Sequence, residues 1–201
     1  MRDSIRDSKT KLKHSTPKHL ELVLLDRDGV LNHDSPGYIR SADDWVSIAG
    51  SIEAIASLNQ AGIRCALCTN QSGIGRGIFD HQALAGIHQK MQRQIAAAGG
   101  ELELIRYCPH PSTAGCRCRK PAPGLLLECC TELGVAPTDA LFVGDSLSDV
   151  QAALQANCAC ALVRYDKEGR ESYAIETQAR ALGVELVYDD LAQLVKDLVP
   201  S

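Results

Sequence analysis

Two aspartates stand one residue apart at the end of an apolar run near the start of the chain. Asp26 and Asp28 follow the apolar residues 22–25, and Gly29 comes directly after them. Like charges at this spacing oppose each other's ionisation unless a cation lies between them. The segment alone fits a solvated turn, since Asp and Gly are common turn residues, and it equally fits part of a metal site. The elements that surround the pair must decide between the two.

Apolar strand patterns alternate with helical patterns from residue 20 onward. Six strands are predicted, at 20–26, 63–69, 101–108, 140–145, 158–165 and 184–189. Four helices are predicted from apolar residues that recur every third or fourth position, at 50–62, 80–100, 123–134 and 148–157. Gly62, Gly99 and Gly134 stand where three of these helices are expected to end. The alternation predicts an α/β protein with a Rossmann-like, mostly parallel sheet flanked by helices.

Polar clusters follow the first four predicted strands. They occupy residues 26–29, 69–77, 107–124 and 144–149. In a sheet of this kind ligands bind beyond the carboxyl ends of the strands, so the four clusters are expected at one edge. Four polar clusters at one edge indicate a built site, and the interpretation of residues 26–29 as an independent turn is set aside.

The carboxylates of this edge predict a magnesium site. Asp145 is expected to join Asp26 and Asp28 from a neighbouring strand end. Three carboxylates at adjacent strand ends form a site of hard oxygen donors, which suits Mg²⁺.

The remaining polar residues of the edge suit an anionic group. Thr69 offers a hydroxyl and Asn70 an amide, while Arg119 and Lys120 supply fixed positive charge. Glycines within residues 73–77 allow the backbone to approach an anion closely. Carboxylates, a metal, a hydroxyl and cations together indicate phosphoryl transfer through an aspartyl nucleophile.

A cysteine–histidine cluster lies in the third polar segment. Cys108, His110, Cys116 and Cys118 follow the pattern C-x-H-x5-C-x-C. Three thiolates and one imidazole match a closed tetrahedral Zn²⁺ site, which is normally structural. The alternative is a loop that is merely rich in cysteine, but this loop is too short and polar to bury three thiols without a metal.

The other cysteines and histidines carry no such pattern. The chain has nine cysteines, an odd number without an export signal, so metal binding or burial is expected rather than disulfides. Six are predicted in the core: Cys65, Cys68, Cys129, Cys130, Cys158 and Cys160. The remaining histidines are predicted at the surface or at helix ends: His14, His19, His33, His81 and His88.

Length and composition limit the domain organisation, the partners and the location of the protein. The 201 residues fit one domain, predicted at 20–199, after an N-terminal arm at 1–19 that lacks apolar periodicity and is predicted disordered. A net charge of −4 argues against a nucleic-acid partner. No apolar run approaches the roughly 18 residues that span a membrane, and no secretory segment precedes residue 20. We expect a cytoplasmic monomer without a membrane partner.

Four motifs together resemble the haloacid-dehalogenase superfamily of phosphatases. They are DRDGVLN, TNQSGIGRG, CRCRKPAPG and GDSLSD, and the similarity extends from about residue 20 to the last helix. The motifs resemble most the branch that holds heptose-bisphosphate and histidinol-phosphate phosphatases. This resemblance implies a haloacid-dehalogenase-like fold in which a zinc loop at 108–118 replaces a large cap domain.

The resemblance also implies a role for each site residue. Asp26 would attack phosphorus and form an aspartyl-phosphate, and Asp28 would protonate the leaving oxygen and then activate water. Thr69 and Lys120 would stabilise the transferring phosphoryl group. Mg²⁺ would be held by the Asp26 carboxylate, the Asp28 backbone carbonyl and Asp145.

Further residues are implied around the substrate. The substrate-binding positions would be Asn70, Gln71, Ser72 and Arg119. Asp149 is interpreted as a residue that caps or orients the following helix. Ser146 takes a position at which several relatives have a lysine.

The leading hypothesis is a Mg²⁺-dependent phosphatase that acts on a small phosphorylated sugar. The resemblance implies that it removes the 7-phosphate of D-glycero-D-manno-heptose 1,7-bisphosphate. Histidinol phosphate is the alternative substrate. A polynucleotide 3′-phosphatase is disfavoured by the acidic charge and the lack of a basic groove. A catalytically inactive zinc-loop binding module is disfavoured because both Asp26 and Asp28 are present.

Overall fold

The computed structural model describes residues 16–165 and 171–199. Residues 1–15 of the predicted arm lie outside the described residues, and residues 16–19 form neither helix nor strand. Within the described ranges, every helix is too short or too polar to cross a bilayer.

Within residues 16–165 and 171–199, six parallel strands form one sheet in the order β3-β2-β1-β4-β5-β6. The strands are β1 (Leu22–Leu25), β2 (Arg64–Asn70), β3 (Leu104–Cys108), β4 (Ala140–Gly144), β5 (Ala159–Val163) and β6 (Leu186–Tyr188). All six predicted strands and the predicted α/β class are confirmed. The chain builds outward from β1 to β3 and then returns to the other side of β1 with β4. Parallel sheets bind ligands at such a reversal point, which here lies between β1 and β4.

In the part of the chain that the structure describes, six α-helices flank the sheet. They are α1 (Ser51–Gln60), α2 (His81–Ala97), α3 (Gly124–Leu133), α4 (Leu147–Ala156), α5 (Glu171–Ala181) and α6 (Leu191–Leu198). The first four agree with the predicted helices, whereas α5 and α6 had not been assigned. The chain turns with positive φ at Gly62, Gly99 and Gly134, as expected for residues that end helices.

The helices form one layer on each face of the sheet because alternate residues of β1 point to opposite sides. Val23 and Leu25 belong to a core with α1, α2 and α6. Leu22 and Leu24 belong to a second core with α3, α4 and α5. The sheet is therefore buried on both faces, which explains the continuously apolar strands. The single domain at 20–199 without a large cap stays a prediction.

Burial confirms the cysteine prediction and corrects one histidine. The six cysteines predicted in the core are each at most 2% exposed. His19, His33 and His81 are exposed as predicted, and His14 lies outside the described residues. The surface prediction for His88 is wrong, since its side chain is only 8% exposed. His88 continues the apolar stripe of α2, which is formed by Leu84, Ile87, Met91 and Ile95, and this spacing was the signal for its burial.

Candidate active site

A buried lysine lies between two carboxylates at the centre of the carboxyl edge. Asp26 directly follows β1, and its Oδ1 lies 2.8 Å from Lys120 Nζ. Lys120 Nζ also lies 2.7 Å from Asp149 Oδ1, in the first turn of α4. Burial alone would lower the pKa of Lys120, but the two carboxylates outweigh it and raise the pKa. The lysine is therefore a fixed positive charge beside Asp26.

Asp145 supplies a further carboxylate to this centre from the end of β4. Oxygen atoms of Asp26, Asp145 and Asp149 all lie within 4.8 Å of one another. Burial raises the pKa of Asp145 well above its usual range, and the carboxylates of Asp149 and Asp26 add to this effect. The Asp145 carboxylate makes no hydrogen bond with any residue in the described ranges. Crowded carboxylates with oxygens still available fit a divalent cation that prefers oxygen donors.

Gly29 makes room for the Asp145 carboxylate. Its backbone has a φ of 81°, and a Cβ built on it would overlap the Asp145 carboxyl group. Both the left-handed turn and the close approach therefore require glycine. The DRDG segment is a turn after all, but one that is shaped to accept the third carboxylate.

Asp28 lines the same cleft but is not part of this carboxylate group, and it is held by three side chains. Arg27, whose side chain is fully buried, donates from Nη2 to both Asp28 oxygens at 2.9 and 3.0 Å. Asn32 and Gln71 each donate a further hydrogen bond of 2.9 Å. Burial opposes ionisation, but the charge of Arg27 and these donors together hold the pKa of Asp28 below its usual range. Because these donors occupy the carboxylate, the backbone carbonyl remains the Asp28 atom that the family resemblance assigns to a metal.

The end of β2 connects the site residues to one another. Gln71 Nε2 donates to Asp28 and, at 3.0 Å, to Thr69 Oγ1. The Asn70 side chain donates to the Lys120 backbone carbonyl and accepts from its backbone N–H, both at 3.1 Å. Two residues predicted to touch substrate thus also position catalytic candidates.

The cysteine–histidine cluster predicted from the sequence is assembled at the end of β3. The three sulfur atoms lie 3.3–3.6 Å apart. His110 Nδ1 lies 3.5 Å from Cys108 Sγ and 3.4 Å from Cys118 Sγ. A tetrahedron with Zn–S bonds of about 2.3 Å has edges of about 3.8 Å, close to these separations. The donor set and its spacing can therefore hold zinc.

The loop that carries this cluster is anchored beside the active centre. Gly75 N donates to Pro109 O at 2.9 Å, and a Cβ on Gly75 would lie 2.6 Å from that oxygen. Gln71 N donates to Cys108 O at 2.8 Å. Lys120 follows the last cysteine by two residues, so the cluster fixes the segment that delivers the lysine.

A cleft of about 420 Å³ opens between the strand ends and residues 34–39. Seven of the predicted site residues line it: Asp26, Asp28, Thr69, Asn70, Gln71, Lys120 and Asp145. Among the residues described, Ser72 and Arg119 do not line this cleft. Ser72 is buried, and Arg119 donates from Nη1 to the His110 carbonyl at 3.2 Å.

Two functional contacts were missed in the sequence. Arg27 was not singled out, although a cation between two aspartates after a buried strand was a usable signal. The Asp149–Lys120 ion pair was not expected either, while the predicted capping role of Asp149 agrees with its 3.0 Å bond from Ser146 N.

A family model described as haloacid dehalogenase-like hydrolase matches residues 12–157. The chain belongs to the haloacid dehalogenase-like hydrolase family. The predicted family and the predicted enzyme class, a phosphatase of this superfamily, are thereby confirmed.

Curated and solved relatives of this haloacid dehalogenase-like chain carry closely related names. The D-glycero-beta-D-manno-heptose-1,7-bisphosphate 7-phosphatase of Pseudomonas aeruginosa is 44% identical over 179 residues, which cover 89% of this chain and 97% of the relative. The enzyme of the same name from Bordetella bronchiseptica is 43% identical, covering 90% and 98% of the two chains. A crystal structure of the D,D-heptose 1,7-bisphosphate phosphatase from B. bronchiseptica, complexed with magnesium and phosphate, matches with a TM-score of 0.82 and 41% identity. That match covers 89% of this chain and 98% of the other.

Proposed function

We propose that the protein is a Mg²⁺-dependent phosphatase that removes the 7-phosphate of D-glycero-D-manno-heptose 1,7-bisphosphate through an aspartyl-phosphate intermediate. The observation that carries the proposal is the buried contact of Asp26 with Lys120, beside Asp145, at the floor of the cleft. Asp26, the proposed nucleophile, thus lies next to a fixed cation and to a carboxylate that suits a metal.

Asp26 attacks the phosphorus of the 7-phosphate, and the bond to the sugar oxygen breaks. Lys120 and the Thr69 hydroxyl stabilise the negative charge of the transferring group. The donors around Asp28 hold its pKa below the usual range in the free protein, so Asp28 must take up a proton when the substrate binds. It gives that proton to the leaving sugar oxygen. The aspartyl-phosphate then reacts with water, whose proton Asp28 accepts, and inorganic phosphate leaves.

Asp26 and Asp145 carboxylates, with the Asp28 backbone carbonyl, would hold Mg²⁺. When bound there, the ion supplies positive charge that reduces repulsion between the carboxylates and the incoming phosphate. The crowding of buried carboxylates around Asp145 supports this assignment. The magnesium and phosphate named for the 41% identical Bordetella structure support it independently.

Zn²⁺ held by the cysteine–histidine cluster has a structural task in this proposal. All four protein donors are present, so no coordination position remains for a substrate. Burial and neighbouring sulfurs raise the pKa of Cys108 and, to about 12, that of Cys118, whereas hydrogen bonds outweigh burial and lower the pKa of Cys116 to about 7. Three neighbouring thiols that cannot all ionise together fit a site that holds a cation between them. The ion would hold residues 108–118 so that Lys120 points at the phosphate.

The relatives support the substrate. Chains 43–44% identical over nearly their whole length are named for the heptose 1,7-bisphosphate and for its 7-phosphate. The cleft of about 420 Å³ accommodates a small phosphorylated sugar.

The test is a comparison of kcat/KM for the heptose bisphosphate, histidinol phosphate and a 3′-phosphorylated oligonucleotide. We expect the heptose bisphosphate to be preferred by orders of magnitude, with activity lost in EDTA and restored by Mg²⁺. A preference for histidinol phosphate would overturn the substrate assignment, and a preference for the oligonucleotide would overturn the sugar-phosphatase class. Activity that survives removal of Mg²⁺ would contradict the metal assignment.

A further inference from the structure

Ser148 has no part in the mechanism above, yet it lines the cleft in the first turn of α4. Its Oγ lies 2.9 Å from Ser146 Oγ. Ser146 Oγ in turn lies 2.6 Å from Asp149 Oδ2. The three side chains form a short hydrogen-bonded series that begins at the buried lysine and ends at the cleft.

The donor and acceptor of each hydrogen bond in this series follow from Asp149, which contacts the buried lysine. Asp149 Oδ1 faces Lys120 Nζ, and Oδ2 accepts from Ser146 N at 3.0 Å. Because both oxygens face N–H donors, the carboxylate only accepts, and the Ser146 hydroxyl must donate its proton to Oδ2. Ser146 Oγ then accepts from Ser148, whose single proton is thereby committed.

Ser148 Oγ therefore presents only lone pairs to the cleft. It accepts no hydrogen bond from another residue of the described ranges. A ligand group that meets it must be a donor, such as a hydroxyl. A phosphate oxygen is itself an acceptor and gains nothing from this contact.

We propose that Ser148 is a specificity-determining residue that accepts a hydrogen bond from a hydroxyl group of the substrate. The proposal rests on the proposed function and deepens it, because it assigns this wall of the cleft to the sugar hydroxyls rather than to the second phosphate. Lys120, through Asp149 and Ser146, sets the polarity of the contact. The same lysine that stabilises the transferring group thus helps to select a hydroxylated substrate.

The experiment compares Ser148→Ala and Ser148→Thr with the unmutated protein on two substrates. Heptose 1,7-bisphosphate carries hydroxyls, and 4-nitrophenyl phosphate carries none. Loss of one neutral hydrogen bond should raise KM for the heptose bisphosphate about three- to ten-fold in Ser148→Ala. In Ser148→Ala the KM for 4-nitrophenyl phosphate should stay unchanged. In Ser148→Thr, which retains the oxygen, the KM for the heptose bisphosphate should return most of the way to that of the unmutated protein. Ser57→Ala, a helix serine whose hydroxyl bonds to its own helix backbone, is the matched control.

Equal losses on both substrates, or no loss on the sugar, would overturn the role of Ser148. A wild-type protein inactive on the heptose bisphosphate would refute the proposed function instead. In that case Ser148 is judged from competitive inhibition of 4-nitrophenyl phosphate hydrolysis by fructose 1,6-bisphosphate. Ser148→Ala must then weaken the inhibition, and unchanged inhibition would overturn the inference.

Discussion

Lys120 is the residue on which the electrostatics of the site depend. It is 2% exposed and contacts two carboxylates, Asp26 and Asp149. A buried charge without a partner is strongly destabilising, so one carboxylate can be lost only if the other remains. This arrangement allows the nucleophile to be neutralised without loss of the fold.

Asp26→Asn should reduce kcat by about four orders of magnitude, because the amide keeps the shape of the nucleophile but not its charge. The fold should persist, since Lys120 keeps its 2.7 Å contact with Asp149. Steady-state kinetics with circular dichroism test both statements, with Asp43→Asn, an exposed carboxylate outside the cleft, as the control. Appreciable turnover by an Asp26→Asn protein shown by mass spectrometry to be free of deamidation would exclude the aspartyl-phosphate.

Residue types and spacing were sufficient to predict the cysteine–histidine cluster, because its four donors lie close together in the sequence. The alternation of strands and helices placed Asp26 and Asp145 at one edge of the sheet, but their proximity also depends on the strand order. The contacts of Arg27 and Gln71 with Asp28 were not predictable in this way. They depend on which rotamer each side chain adopts, and sequence spacing carries no information on that. The hydrogen bond from Arg119 to the His110 carbonyl was not predictable either, and the contact of Arg119 with the substrate stays a prediction.

Among the elements, the turn after β1 has the tightest steric requirement. Gly29→Ala should destabilise the fold by about 1–2 kcal/mol through its positive φ and should also displace the Asp145 carboxylate. We expect a higher Mg²⁺ concentration for half-maximal activity and a lower kcat. Gly62→Ala is the matched control, because Gly62 has nearly the same φ, 79°, but a Cβ added there meets nothing within 4 Å.

The two alanine variants separate backbone strain from displacement of the carboxylate. Urea unfolding should show similar losses of stability in both, while only Gly29→Ala should change the Mg²⁺ dependence. An identical Mg²⁺ dependence in the two variants would contradict the placement of Asp145 at the metal.

The zinc loop is the second element that allows a direct test. His110→Ala should lower the zinc content from about one ion per chain and loosen the segment that carries Lys120. Misplacement of that lysine should reduce kcat by up to about 100-fold. His81→Ala removes an exposed histidine outside the cluster and should leave both quantities unchanged. Zinc is measured by elemental analysis of protein purified without chelators, and full zinc with full activity in His110→Ala would contradict the proposal.

Elements were predictable where burial on two faces left continuous apolar runs, as in β1, β2 and β4. The helices α5 and α6 were missed. Helix α6 has only eight residues, Leu191–Leu198, and α5 is largely polar, so neither contains a long apolar repeat. Their placement follows from tertiary packing, as α6 packs on α1 and α5 packs on α4, with Ala179 of α5 in the second core.

At the scale of the whole molecule, His88 links stability to pH. Burial, together with the charge of Arg27, lowers the pKa of His88 to about 4 from an ordinary value near 6.5. The unfolded chain therefore binds this proton more readily than the folded one. The contribution of neutral His88 to the free energy of unfolding is therefore fully present above pH 6.5 and is lost as the pH falls towards 4.

His88→Gln should remove this part of the acid sensitivity. Between pH 7 and 4.5 the unmutated protein should lose about 2–3 kcal/mol more than the variant in the free energy of unfolding. Urea titrations at both pH values give the difference, with His81→Gln as an exposed control. Parallel losses in the His88→Gln and unmutated proteins would show that His88 does not titrate in this way.

The order of the strands was beyond the sequence, because alternation predicts parallel pairing but not which strands are neighbours. That order decides the site, since Asp145 reaches Asp26 only because β4 pairs with β1. The polar clusters at the strand ends indicated that these ends share one edge of the sheet, but not which strands are neighbours.

The central position of β1 has a consequence for the chain as it leaves the ribosome. Strands β1, β2 and β3 are synthesised first, and β1 is then the free edge of a three-stranded sheet until β4 follows. All four residues of β1 are fully buried in the finished protein, so this edge is apolar on both sides and can pair with another nascent chain. Expression that stalls before residue 140 should therefore yield aggregates, and chaperones that shield extended apolar segments should improve the recovery of the full-length protein.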